Sequence, residues 1–285
     1  MKVCVPPLKI QGIKTKIIPY IKNILNWDSN GVYFEPFMGS GVVGFNLAPK
    51  RAIFSDNNPH IISFYQNIQI GIINKDSVRK YLQYEGDILQ KQGQERYLEI
   101  RERFNKEHNP FDFLFLNRSC FNGLMRFNSS GVFNVPYCKK DARFSKGYIT
   151  KIVNQIDWVA NLIKNKDYEF KVCDFSSVLQ EAKENDFIYC DPPYIDRHSD
   201  YFNAWNETKE KMLYEFLKNT KAKFILSTWH SNQYRQNQYI NVLWGQFYNY
   251  MVEHFYHLGA NENNRNSIKE LLVNNYGVYR HYIHS

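Results

Sequence analysis

Four consecutive residues, Asp191, Pro192, Pro193 and Tyr194, have types and an order that could do chemistry. An ionised Asp191 offers acceptor oxygens and no donor. The two prolines lack an N–H that would compete for a ligand, and they leave the Pro192 carbonyl as a second acceptor. Two acceptors aimed at one NH2 group would turn its lone pair toward an electrophile. Tyr194 adds a flat face on which a heterocycle could stack. The tetrad therefore suits methylation of an amine carried on a planar ring. A tight structural turn draws on the same residue types, so the motif needs its surroundings to be weighed.

The elements that must position it can be read outward. The apolar run Phe187, Ile188, Tyr189, Cys190 has the length of a buried strand. The prolines end it. Asp191 then falls at a strand's carboxyl end, where open α/β sheets bind ligands. Residues 32–45 read as strand, glycine turn and helix, with Gly39 and Gly41 allowing close approach of backbone to a ligand at a helix start. The pattern is not G-x-G-x-x-G, which sets a nicotinamide oxidoreductase aside. A strand over residues 52–55 ends at Asp56. That carboxylate could hold ribose hydroxyls, or could make an Asx turn ahead of the next helix. Lys14 follows Gly12 and precedes a helix over residues 19–25, with Pro19 in its first turn. Such a lysine is either a surface charge or a partner for an anion.

Farther along, residues 76–84 and 95–107 carry helical patterns in a polar, charged stretch. A basic, aromatic block covers residues 117–137. Ser129, Ser130 and Gly131 read as a turn inside it, the tip of a hairpin. Its Asn and Arg side chains are types that pair with base edges, and its Leu and Phe are types that wedge into a base stack. Each is also an ordinary loop residue. A helix is expected over residues 149–163, and strands over 170–173, 223–228, 252–258 and 270–274. A helix lies near residues 209–219, a polar aromatic loop over 196–205, and a polar turn at Asn263, Asn264, Arg265 and Asn266. Strands and helices alternate as a doubly wound α/β domain requires.

Bulk composition sets outer limits. The 285 residues allow one large or two modest domains, and 44% hydrophobic content excludes disorder. The net charge is +8. Residues 1–22 hold five lysines and no acid, and residues 112–151 hold seven basic residues against Asp112 and Asp141. Those two segments carry the whole basic excess, which suits a polyanionic partner. Cys4, Cys120, Cys138, Cys173 and Cys190 show no pairing pattern, as for reduced thiols in a cytoplasm, with Cys173 and Cys190 expected in the interior. No signal peptide is visible and no apolar run approaches the ~18 residues of a membrane span, so neither export nor spanning is expected. His254 and His257 form a lone H-x-x-H without further ligands, so no metal site is expected.

Taken together, these segments resemble the Dam-type family of DNA adenine methyltransferases. The likeness rests on Asp191-Pro192-Pro193-Tyr194, on Phe121-Asn122-Gly123-Leu124 and Arg126-Phe127-Asn128, and on Gly131-Val132-Phe133-Asn134-Val135-Pro136 in that family's order. Where the family reads Trp-x-Gly-Gly-Lys ahead of its first helix, this chain has Ile10 and Ile13 in place of the aromatic and one glycine. The resemblance implies an α/β methyltransferase fold, Rossmann-like with a seven-stranded mixed sheet, built from residues 1–75 and 165–285. A mainly helical target-recognition domain over residues 76–164 is inserted in it. It implies S-adenosyl-L-methionine as cofactor, held by Ile10, Lys14, Phe37, Gly39, Gly41, Asp56, Asp174 and Asp191, with Asp174 toward the adenine. Catalysis falls to Asp191, Pro192, Pro193 and Tyr194, acting on the N6 amine of an adenine rotated out of the duplex. Lys9, Arg118, Phe121, Asn122, Leu124, Arg126, Asn134 and Pro136 would contact DNA, with GATC the first candidate site. A cognate restriction endonuclease is a conceivable partner, a membrane is not, and a cytoplasmic monomer or weak dimer is expected. Two other classes stay open: a methyltransferase acting on RNA or a protein amide, and a DNA-binding module with an inactive cofactor site.

Overall fold

The computed structural model describes residues 2–195, 205–231, 236–255 and 267–277. Most of the expected 196–205 loop, the Asn263 to Asn266 turn, His257 and the end of the strand expected over 252–258 lie outside the described residues.

Seven strands form one sheet: β1 (Tyr33–Glu35), β2 (Arg51–Asp56), β3 (Asp167–Val172), β4 (Phe187–Cys190), β5 (Lys223–Ser231), β6 (Tyr248–Phe255) and β7 (Ser267–Asn274). Their order is β3-β2-β1-β4-β5-β7-β6. The first five run parallel, and β7 lies antiparallel between β5 and β6. All residues of β1 and β4 are buried, as central strands covered on both faces must be. From β1 the chain winds outward to β2 and β3, then returns to lay β4 on the other side of β1. That reversal opens a crevice past the carboxyl ends of β1 and β4.

Helices cover the sheet: α1 (Ile18–Ile24), α2 (Val42–Leu47), α3 (Pro59–Gln69), α8 (Phe175–Leu179), α9 (Glu207–Asn219) and α10 (Tyr239–Val242). Between β2 and β3 the chain adds α4 (Lys75–Gln92), α5 (Gln94–Glu107), α6 (Pro110–Ser119) and α7 (Lys146–Ile163). Their starts follow local chemistry. Asn74 and Ser77 make a capping box, and Asn109 and Ser145 accept from the first turns of α6 and α7. α6 was not expected, because it has no polar face: every residue from Asp112 to Ser119 is buried. Its Asp112 carboxylate is met by the Arg103 guanidinium, whose Nε lies 2.8 Å away. α6 and α7 pack on α3, and one hydrophobic cluster runs from Phe54 in the sheet through Phe64 to Phe104 and Ile156.

The five cysteines are free thiols. Cys190 is buried as expected, but Cys173 is only half-buried, because it lies past the end of β3 rather than within it. Among the described residues, no helix is long and apolar enough to cross a membrane, and no cluster of His, Cys, Asp and Glu side chains is grouped to hold a metal.

α2 approaches β1 and β2 so closely that only glycine fits at Gly44. Its N–H donates to Glu35 Oε2 at 2.9 Å. A Cβ there would lie 2.3 Å from Phe54 Cε1 and 2.5 Å from Glu35 Oε2. Gly44→Ala is expected to cost about 1–3 kcal/mol by overpacking, read as a lower urea midpoint in equilibrium unfolding.

Candidate active site

The loop after β1 and the tetrad after β4 meet at the crevice. They line one cavity of about 290 Å³, with Ile10, Lys14, Phe37, Gly39 and Asp56 on one side and Asp191, Pro192, Pro193 and Tyr194 on the other. That volume stands near the lower end for small-molecule sites.

The glycine corner is shaped by backbone. Gly39 and Gly41 have φ of +49° and +67°, a region L side chains rarely adopt. The Gly39 N–H donates to Asp56 Oδ2 at 2.9 Å, and Asp56 Oδ1 accepts from the Asn58 N–H at 2.9 Å. Asp56 thus makes the Asx turn and also faces the cavity. Burial pushes its carboxyl up, against the pull of those two N–H groups. Gly41 is set back from the cavity lining, as the left-handed residue that starts α2.

At the tetrad, Lys14 is buried and its Nζ is the hub. It lies 3.2 Å from Asp191 Oδ1, 3.0 Å from Glu270 Oε1 and 2.8 Å from the Tyr194 hydroxyl. The Tyr194 hydroxyl in turn donates to Glu270 Oε1. Nζ also stands 4.8 Å from the Tyr194 ring centroid, a cation–π contact. Lys14 is therefore no surface charge. Asp191 keeps 22% of its side chain exposed, toward the cavity. Burial raises its carboxyl from the usual range to about 6, with Lys14 pulling down and Glu270 pushing up. Behind it, Glu35 is buried and raised to about 8, chiefly by burial.

Glu270 was missed by sequence reasoning. It sits on β7 opposite Trp229 of β5 and Val252 of β6, with no exposure. Its signal was a carboxylate in the apolar run from Ile268 to Val273, which instead read as a strand's first residue. Lys209 also lines the cavity unforeseen; Trp205, the last residue of the polar aromatic loop expected near the target base, lines it too and packs edge-on against Phe37 at 5.3 Å. Asp174 does not line it. Its Oδ1 caps α8 by accepting from Ser176 N at 3.0 Å, while the next residue, Phe175, reaches the cavity.

The aromatic block forms the expected hairpin, with Phe127 bridged to Phe133 and the turn at residues 129–131. Its sides differ. Phe127 and Phe133 are buried against α5 and α3, while Phe121, Asn122, Arg126 and Pro136 are exposed. Asn134 accepts from Arg126 Nε at 3.0 Å, and Leu124 is half-buried. Arg118 departs from the expected DNA-facing set. It lies at the buried end of α6, only 3% exposed, and its guanidinium donates to the Pro7 carbonyl and to Gln155 Oε1. Its neighbour Asn117 pairs both ways with the Lys9 backbone at 2.8 Å. Together they fasten the amino-terminal segment to α6.

A model of the D12 class N6 adenine-specific DNA methyltransferases matches residues 11–258. The type II methyltransferase M1.LlaDCHI of Lactococcus lactis subsp. cremoris is 27% identical over 292 residues, 95% of each chain. Modification methylase StsI of Streptococcus sanguinis is 28% identical over 287 residues, 95% of this chain and 42% of that protein. The DNA adenine methylase of Escherichia coli K12 is 34% identical over 194 residues, 66% of this chain and 64% of the other. Because the family match runs through the glycine corner, the hairpin and the tetrad alike, the chain belongs to the D12 class of N6 adenine-specific DNA methyltransferases.

Proposed function

We propose that this methyltransferase moves a methyl group from S-adenosyl-L-methionine to the N6 amine of an adenine rotated out of a short duplex site, with GATC the first candidate. The observation that carries the reading is the single cavity shared by the glycine corner and the tetrad. Its lining fits the donor: Asp56 and Asn57 offer acceptors for hydroxyls, Phe37 and Phe175 offer apolar walls, and carboxylates face the region where a sulfonium would lie. When bound, the donor supplies an electrophilic methyl group on that sulfonium.

The chain's own groups position the amine. Asp191 and the Pro192 carbonyl accept its two hydrogens and aim its lone pair, so orientation supplies much of the rate. Lys14 bonds the hydroxyl at the rim of the Tyr194 ring, and a face of that ring serves a stacked adenine. The exposed side of the hairpin, with Phe121, Asn122 and Arg126, contacts the duplex, Phe121 wedging where the base leaves. Lys9, Leu124, Asn134 and Pro136 border that side. Where the enzyme is one half of a restriction-modification pair, its partner is an endonuclease cutting the same sequence.

Four outcomes test this. Mapping N6-methyladenine in DNA from cells expressing the chain should return one short motif; unmodified DNA with methylated RNA instead would overturn the substrate. Asp191→Ala should lower kcat by about 100-fold or more, while donor binding by calorimetry stays measurable. Protonation of an Asp191 raised to about 6 removes its charge and turns one acceptor oxygen into an O–H donor, so kcat/KM should fall as pH drops through about 6. Glu270 contributes to that rise. Glu270→Gln should therefore move the acid limb to lower pH, and an unmoved limb would remove Glu270 from the electrostatics of the site.

A further inference from the structure

A second polar cluster lies away from the cavity, around Tyr148 in the first turn of α7. Arg143 donates from its terminal nitrogen to the Tyr148 hydroxyl at 2.9 Å, and its guanidinium carbon stands 4.5 Å from that ring's centroid. The Arg118 guanidinium carbon and the Lys9 ammonium stand 5.9 Å and 6.0 Å from the same centroid. Arg118 also reaches the hydroxyl, at 3.5 Å. Three cations thus surround one phenol. Among the described residues none of the three is ion-paired with a carboxylate.

The surroundings add positive potential. The depression beside Tyr148 is lined by Lys140, Asp141, Ala142, Arg143, Ser145 and Tyr148. Its one acid, Asp141, accepts from the Tyr137 hydroxyl at 3.1 Å. The first turn of α7, an 18-residue helix, contains no acid. Burial pushes the Tyr148 phenol up, yet Arg118, Lys9 and Arg143 outweigh it and leave it below its ordinary value. Lys9 is lowered by burial and by the two arginines.

We propose that Arg143, Tyr148 and Lys9 form a seat for one backbone phosphate of the DNA, separate from the groups that read bases. The Tyr148 hydroxyl accepts from two guanidiniums, so its own proton is left to donate. Guanidinium, ammonium and phenol then present donors only. A phosphate presents acceptors alone and carries the negative charge that three cations without a carboxylate partner call for; a guanine edge also presents acceptors alone but is neutral. The location agrees. The Lys9 stem lies against Gly123, where a Cβ would be 3.0 Å from Lys9 Cδ, so the cluster borders the turn that carries Phe121 and Asn122. A phosphate there would fix the register of the duplex against the hairpin.

The inference rests on DNA as the substrate, and its test separates the two. Binding of a duplex with the mapped site and of a scrambled duplex is measured by fluorescence anisotropy across a potassium chloride series. Arg143→Gln should weaken both duplexes alike and reduce the magnitude of the log K against log salt slope by ~0.9. Arg143→Lys should keep the slope, and Tyr148→Phe should weaken both duplexes while leaving it unchanged. Thermal melting identifies any variant that fails to fold, and Lys9→Gln then carries the slope measurement in place of Arg143→Gln. An unchanged slope with unchanged affinity, or a loss confined to the cognate duplex, would overturn the phosphate seat while wild-type methylation still upheld the function. A wild-type chain that neither bound nor methylated DNA would overturn both.

Discussion

One ammonium shared by two carboxylates sets the terms for the rest of the site. Lys14 is tied to Asp191 and to Glu270 in surroundings where Glu270 and Lys14 have almost no water. A buried pair is costly unless its geometry is good and its remaining groups are bonded. Here the Tyr194 hydroxyl bonds both Lys14 and Glu270 Oε1, so the three groups hold one another. Of the two carboxylates that share Lys14, Asp191 is the one that faces the cavity. The network also joins segments 180 and 256 residues apart, from Lys14 to Tyr194 and to Glu270. It can therefore form only when the amino-terminal loop, the end of β4 and the late strand β7 are all in place.

The sheet makes that meeting possible. Parallel order from β3 to β5 puts the loops after β1 and β4 at one edge, and the reversal between those strands opens the crevice that both loops line. Antiparallel β7 then brings Glu270 beside Trp229, near the carboxyl end of β5. In a wholly parallel sheet, a side chain in the middle of the next strand would lie below that edge. The mixed topology is thus what lets a strand residue, rather than a loop residue, serve as the second anchor of Lys14.

How much of this could be read beforehand follows the range of each signal. The tetrad, the glycine turn and Asp56 are local patterns, and each was placed on the element its neighbours dictate. β4 and β5 were legible because apolar runs bounded by turn formers leave little choice. α6 was not, since a helix buried all round loses its 3.6-residue period, and its last residues, Asn117 to Ser119, were read into the aromatic block. That one omission explains Arg118. Read as a loop residue it pointed to DNA; placed at the end of a buried helix, it bonds the Pro7 carbonyl instead. Glu270 and Lys9 depend on partners more than 100 residues away, Lys14 and Tyr148, which no spacing rule reaches.

The same contrast bears on how recognition is linked to catalysis. Asp56 and Asn57 line the cavity, Asn58 caps α3, and His60, two residues on, stacks on Phe127 of the hairpin at 5.1 Å and 16°. His60 also meets Phe104 and Phe113, and burial with His108 nearby lowers it to about 4. It is therefore neutral at ordinary pH, and the joint is apolar packing rather than an ion pair. Packing of this kind is short-ranged and is little screened by the salt that weakens phosphate contacts. A hairpin pinned by charges would loosen under the conditions that loosen its grip on a polyanion. One pinned by rings is held to α3, and so to the strand end that carries Asp56, by packing that salt does not weaken.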